Sequence, residues 1–328
     1  MGYTRRLIVW IRLVQEMLLR PVNPVIGAVD IGSNTIKMSV ATLTATGDLH
    51  ELAAMSETAR LGSGLATSGV LAEDRVAHAL ETLTRFAATA HELGATRLVG
   101  VATEATRRAA NGPAFLANVR TMTGWDVRAI SGDDEADLTF RGLAHDHDVS
   151  GRVTVADIGG GSTEIVIAES GRILQAQSLA LGSGTLTDAF IRSDPPHREE
   201  LDACIDAATS ALVTMGLSPT PDAHLIVIGG TAEHIEKLLP EDRAPMPGDM
   251  APLLDWLTRT TAAILITRHQ VPPDRARVLP AGIAIISAII DCLTPERMSL
   301  GRSGIRTGLL LATFDQIAEE SGTTKARG

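Results

Sequence analysis

The chain has 328 residues, 45% of them hydrophobic, enough apolar material for a large core and, by ordinary domain size, for two lobes with a cleft between them. A formal net charge of -10 excludes a general binder of nucleic acid or of acidic membranes, because long-range repulsion opposes any polyanion that no local basic patch meets. Cys204 and Cys292 lie far apart without a paired motif, so neither a disulfide framework nor a zinc site is indicated, and a cytoplasmic location is expected.

Residues 1–24 read as an N-terminal extension outside the lobes. Arg5, Arg6, Arg12 and Arg20 bracket apolar residues, but Arg12 interrupts the run, no small-residue cleavage site follows, and the stretch is too short to span a membrane. A frayed segment or a start at Met17 is expected there, with an interfacial helix as the alternative. Residues 25–31 then form an apolar strand that breaks at Gly32-Ser33-Asn34 and resumes over 36–43. Residues 152–158 do the same, breaking at Gly159-Gly160-Gly161-Ser162 and resuming over 165–168. Each hairpin is followed by a Leu-Gly-Ser-Gly tetrapeptide, at 61–64 and 181–184, and then by a helix-length stretch and an apolar strand, at 97–101 and 224–228.

Three landmarks recurring in one order at a separation of roughly 120–130 residues predict two related domains rather than a solenoid. Helical patterns over 73–93, 112–122, 196–214 and 250–268 alternate with the strands, which predicts an α/β fold. Lobe I is expected over 25–148 and lobe II over 149–303, with the helical run 304–320 packing back on lobe I.

A strand ending in Asp and followed by glycines can aim several backbone N–H groups at one anion, a grip that needs no net charge. Gly32, Ser33, Asn34 and Thr35 form one candidate phosphate loop, and Gly159, Gly160, Gly161, Ser162 and Thr163 a second. Gly229-Gly230-Thr231 is a third and weaker candidate. One such loop alone reads as a plain hairpin turn; two with the same successors favour a ligand. Asp30 and Asp157, beside these loops, suit Mg²⁺ (or Mn²⁺), which takes oxygen ligands and keeps waters and phosphate oxygens in its shell.

Ser131-Gly132 reads as a turn before a helix whose first-turn acids, Asp133 and Asp134, are explained by capping and the helix dipole. Glu135 is either one more capping charge or a cleft-facing carboxylate that takes a proton from water. Glu164 is either a solvated residue on an edge hairpin or a group that orients water or binds metal. Arg107, after the strand 97–101, is a candidate phosphate contact, with Arg60 and Arg306 weaker ones. His145-Asp146-His147-Asp148 has a metal-like composition, but its place between helix and strand reads as a solvated loop.

Val-Asp-Ile-Gly-Ser-Asn-Thr (29–35), Ala-Thr-Glu-Ala-Thr-Arg (102–107), Ile-Ser-Gly-Asp-Asp-Glu-Ala (130–136) and Asp-Ile-Gly-Gly-Gly-Ser-Thr-Glu (157–164) together resemble the exopolyphosphatase and guanosine pentaphosphate phosphohydrolase (Ppx/GppA) family, in its short two-domain form. The resemblance implies a two-domain actin-like, Hsp70-like and sugar-kinase-like fold, a duplicated ribonuclease H-like architecture. It further implies Glu135 as catalytic base, Glu164 as a second essential glutamate, Asp157 as a metal-associated aspartate and Arg107 as a phosphate contact. The implied substrate is inorganic polyphosphate or guanosine pentaphosphate, and a homodimer is an open expectation. Asp134 and Thr307 depart from the family pattern, which more often has glutamate at both places. A non-hydrolytic, nucleotide-sensing actin-like module and a sugar or acetate kinase share the fold and stay as competing readings.

Overall fold

A computed structural model describes residues 24–320 and Gly322, apart from Pro221 and 240–242. The extension read over residues 1–24 therefore lies, up to residue 23, outside the described residues. The first sheet contains β1 (Val25–Ile31), β2 (Thr35–Leu43), β3 (Leu49–Thr58), β4 (Ala95–Ala102) and β5 (Asp126–Ala129), in the spatial order β3-β2-β1-β4-β5. The second contains β6 (Arg152–Ile158), β7 (Thr163–Glu169), β8 (Arg172–Leu179), β9 (His224–Ile228) and β10 (Arg297–Leu300), in the order β10-β9-β6-β7-β8. In each sheet the first three strands are antiparallel and the last two run parallel to the first. Counted from its own first strand, each lobe thus has the order 3-2-1-4-5. This is the duplicated ribonuclease H-like, α/β architecture of actin-like, Hsp70-like and sugar-kinase-like proteins.

The third strand of each sheet, β3 and β8, has no counterpart in the predicted elements. Both are edge strands with largely exposed side chains, so burial imposed little apolar alternation on them. The presence of β8 moves β7 to an inner position, and Glu164 is not on an edge.

Four helices flank the lobes as expected: α1 (Glu73–Glu92), α2 (Gly112–Thr123), α3 (Gly132–Asp146) and α4 (Arg198–Thr214). The predicted helix 250–268 is instead two, α5 (Met250–Leu257) and α6 (Ala262–His269). Thr260 bonds back to the Trp256 carbonyl at 2.9 Å and Thr261 caps the new helix by accepting from the Ile264 amide, so this polar, β-branched pair ends one helix and starts the next. Two further helices, α7 (Leu279–Leu293) and α8 (Ile305–Glu320), complete the set used below. α7 is buried on nearly every side and forms the centre of the second lobe's core.

The lobes exchange helices. α3 follows β5 of the first sheet, yet its Ala136, Phe140 and Leu143 pack against Val153, Val155, Val166 and Ile226 of the second. α8 follows β10 of the second sheet and lays Ile305, Leu309, Leu310 and Phe314 on Ile26, Ala28, Ala41 and Val101 of the first. The boundary expected at 148/149 falls just after α3, the helix on which the chain crosses, whose apolar face packs against the second sheet. α3 and α8 cross through glycines, since a Cβ on Gly308 would lie 1.9 Å from the Leu138 carbonyl oxygen and one on Gly142 would lie 2.2 Å from that of Gly304.

Candidate active site

β1 and β6, one in each sheet, end in the same way, each with an aspartate as its next-to-last residue. Hairpin register fixes what faces it. Asp30 pairs with Lys37 on β2, and Asp157 pairs with Glu164 on β7. The two hairpins are equal in length and unequal in charge: one carries an acid and a base, the other two acids.

Both turns close by the same bond, Gly32 N–H donating to Thr35 O at 3.1 Å and Gly159 N–H donating to Ser162 O at 3.0 Å. These two amides are spent inside the turns, so Gly32 and Gly159 shape the loops but do not supply the N–H donors expected of them. The amides of Ser33, Asn34, Gly160 and Gly161 donate to no protein group among the described residues. They are the free donors of the paired loops, and the loops meet across the cleft, with a Cβ on Gly160 falling 3.1 Å from that of Asn34. Gly229, at φ 91°, brings the third glycine turn against Asp157: a Cβ there would stand 2.5 Å from Asp157 Oδ1, so only glycine fits.

One cavity collects most of the candidate residues. Asp30, Ser33, Asn34, Thr35, Glu135, Asp157, Gly160, Gly161, Ser162, Glu164, Gly229 and Gly230 line it. Thr163 and Thr231 do not. Thr163 is fully buried and donates to the Leu181 carbonyl at 2.7 Å, occupying on β7 the place that Ile36 holds on β2. Strand alternation explains it: with Glu164 facing the cavity, its neighbour faces the core. Thr231 packs instead against Gly282 of α7. Arg107 also stays outside the lining; its guanidinium donates to the Ile130 carbonyl at 2.6 Å, from where its charge still reaches Glu135.

The first turn of α3 separates its three acids. Asp134 closes a capping box with Ser131, accepting from that residue's amide at 3.2 Å and returning its own N–H to Ser131 Oγ at 3.1 Å. Asp133 is not buried, whereas Glu135 is 8% exposed and lines the cavity. Glu164, 6% exposed, accepts from Ser178 Oγ at 2.7 Å. Burial and then the charges of Glu164, Asp30 and Asp157 hold Glu135 well above the ordinary carboxylate range. Burial and then Asp157 raise Glu164, against the hydrogen bonds from Ser178 and Ser162. Asp157 is raised to about 6 by burial, with Lys37 opposing, and burial likewise raises Asp30. Four carboxylates crowd one cavity. Such a site holds protons until cations enter it.

Of the cations at its rim, only Arg306 was a candidate from sequence. Lys37, Arg275, Arg302 and Arg306 all line the cavity. Lys37 pairs with Glu233 of the other lobe at 3.1 Å, and Arg275 donates to Thr35 Oγ1 at 3.0 Å, also across the lobes. Arg306, a weak candidate, donates to the Met38 carbonyl at 3.0 Å and Ser39 Oγ at 2.8 Å, which ties the start of α8 to β2. Counting pairs outward from the first turn would have found Lys37. Arg275 has no such signal, lying 240 residues from its partner. Arg60 lies outside this cavity. His145 and Asp146 belong to the last turn of α3 rather than to a loop, and among the described residues no three His, Cys, Asp or Glu side chains form a metal cluster.

The fold and cavity define a protein of actin-like architecture whose interlobe cleft sets loop amides that donate to no protein group among the described residues beside buried carboxylates. The chain belongs to the Ppx/GppA phosphatase family, whose family model matches residues 39–316. It is 29% identical over 305 residues to a guanosine-5'-triphosphate,3'-diphosphate pyrophosphatase of Photobacterium profundum, covering 90% of this chain and 61% of that protein. Against exopolyphosphatase 1 of Mycobacterium tuberculosis it is 29% identical over 308 residues, covering 90% and 89%. The crystal structure of the Aquifex aeolicus member of the Ppx/GppA family superposes with a TM-score of 0.76 at 26% identity, over 90% of this chain and 98% of that one. The chain spans about three-fifths of the length of the curated pyrophosphatases it matches, such as the 61% above.

Proposed function

We propose that this chain is an exopolyphosphatase that hydrolyses the terminal phosphate from linear inorganic polyphosphate. The observation that carries the reading is the convergence of Glu135, Asp157 and Glu164 with the free loop amides on one cavity. Phosphoryl transfer to water needs positioning and charge neutralisation more than covalent chemistry, and this cavity offers both. The terminal phosphate is gripped by the amides of Ser33, Asn34, Gly160 and Gly161, with Lys37 and Arg275 at the rim. Glu164, fixed by Ser178, orients a water toward phosphorus. The water oxygen bonds to phosphorus as the bridging P–O bond breaks; the bridging oxygen leaves with the shortened chain, and the water proton passes to Glu135. A carboxylate with a raised pKa is a stronger base than an ordinary one once the cations around it let it ionise.

Mg²⁺, or Mn²⁺ in its place, fits these residues. Asp30 Oδ1 is buried without any hydrogen-bond partner, and half-buried Asp157 lines the same cavity. Among the described residues no three His, Cys, Asp or Glu side chains form a closed chelate, which suits an ion that keeps waters and phosphate oxygens as ligands. Asp157 and Asp30 would hold it, and when bound it supplies positive charge against the terminal phosphate. A cytoplasmic location belongs to the same reading: both cysteines are free, and no helix among the described residues is long and apolar enough to cross a membrane.

The names of several curated relatives support a second reading, removal of the 5′ γ-phosphate from guanosine pentaphosphate. Competition between the two substrates in one reaction with Mg²⁺ separates them. Polyphosphate is expected to show the higher kcat/KM; a higher value for guanosine pentaphosphate would move the assignment to the second reading.

A further inference from the structure

The two Leu-Gly-Ser-Gly tetrapeptides are the one recurring motif that the catalytic cavity does not use. Each is bound behind its own phosphate loop by backbone hydrogen bonds. Gly62 N–H donates to Ser33 O at 2.7 Å and Arg60 N–H to Asn34 O at 2.8 Å; Ser183 N–H donates to Gly159 O and Gly184 N–H to Gly160 O, both at 2.9 Å. The duplication therefore brings the tetrapeptides face to face across the cleft. Between them lies a second chamber, whose lining includes Gly62, Ser63, Gly184 and Thr185 together with Arg60 of the first lobe and Arg277 of the second. Ser33, Asn34, Gly160 and Gly161 line both chambers, so the paired loops form a neck that joins them.

The chamber's formal charges balance, Arg60 and Arg277 against Asp188 and Asp274, and of these four Arg60 alone has no side-chain partner among the described residues. The chamber's two acids are already engaged, Asp188 with Arg277 at 3.1 Å and Asp274 with Thr58 Oγ1 at 2.6 Å. Arg60 has no side-chain hydrogen bond or ion pair among the described residues, and it projects from a backbone held at φ 50°. A left-handed conformation at a non-glycine residue is uncommon, and here the turn directs an unpaired guanidinium to the chamber wall.

We propose that this second chamber is a binding subsite for the trailing phosphates of a polyphosphate chain, held by Arg60 and Arg277 from opposite lobes while the terminal phosphate sits beyond the neck. The inference rests on the exopolyphosphatase reading for its ligand. It makes chain length a determinant of affinity: an anion too short to pass the neck gains nothing from the arginines. Binding to this subsite also draws the lobes together, because its two cations come from different lobes.

Calorimetric titration with chelator present tests this without turnover, using pyrophosphate as the short probe and long linear polyphosphate as the long one. Arg60→Gln and Arg277→Gln are each expected to weaken long-chain binding by roughly tenfold, the size of one charge-assisted contact, and to weaken pyrophosphate binding far less. Arg60→Lys keeps the charge and should recover part of the loss, which a misfolded variant would not allow. Equal weakening of both probes, or no weakening of either, would overturn the subsite. Failure of the hydrolase reading shows separately, as absence of orthophosphate release by the wild-type protein with Mg²⁺.

Discussion

Glu135→Gln should lower the rate of orthophosphate release by about 10³-fold, within the range that a positioned general base contributes, while leaving polyphosphate binding nearly intact. The amide keeps the shape of the side chain and its place on α3 but cannot take a proton. The same substitution should stabilise the protein at alkaline pH when no divalent cation is present. Glu135 is held above the ordinary carboxylate range by burial and by neighbouring acids, so the folded protein keeps a proton that the unfolded chain releases. That contribution to stability is complete in acid and is lost as pH rises through the folded-state pKa. Glutamine has no proton to lose. Thermal unfolding with chelator should therefore show wild type and variant close together near about pH 5 and the variant ahead by roughly 2 kcal/mol near about pH 9, the order of penalty for an uncompensated buried charge. Parallel curves at every pH would mean that the carboxyl is solvated and the crowded-acid description is wrong.

Gly308→Ala should be the most damaging single methyl addition in the interlobe helices. The new Cβ would stand 1.9 Å from the Leu138 carbonyl oxygen, and the obstruction is backbone, so no rotamer change relieves it. α3 and α8 must move apart, which strips packing from both Phe140 and Phe314 and their sheets. Overpacking of this kind costs about 3 kcal/mol, and unfolding temperature is expected to fall by roughly 5–10 °C. Activity should fall as well, because α3 carries Glu135, the segment leading into α8 carries Arg302 and the first turn of α8 carries Arg306. Differential scanning calorimetry beside a rate measurement checks both. An alanine variant with unchanged melting would show that the helices do not cross as closely as described.

What could be read from the residues divides along a physical line. The paired loops, the parallel strands after them and the capped start of α3 rest on local rules: glycine runs, apolar runs and capping residues. β3 and β8 escaped because their exposed faces carry no apolar alternation, although β8 is what takes Glu164 off the sheet edge. Thr163 and Thr231 were grouped with their loops by adjacency, whereas strand alternation sends one to the core and a turn sends the other against α7. Lys37 was within reach of register counting. Arg275 and Glu233 were not, since contacts between lobes depend on the angle at which the two sheets meet, and no local pattern encodes that angle.

The duplication produced two hairpins of one length and then let one pair of positions diverge. Lys37 and Glu164 occupy matching places opposite Asp30 and Asp157. On the proposed function the lysine side holds the phosphate and the glutamate side handles the water. The claim at the centre of this account is that water attacks the terminal phosphorus of a polyphosphate chain at this cleft. ³¹P nuclear magnetic resonance of long polyphosphate, incubated with the wild-type protein and Mg²⁺ in ¹⁸O-labelled water, measures it directly. The expected result is orthophosphate carrying one ¹⁸O, released while chains shorten from their ends; no orthophosphate, or fragments from scission within the chain, would contradict it.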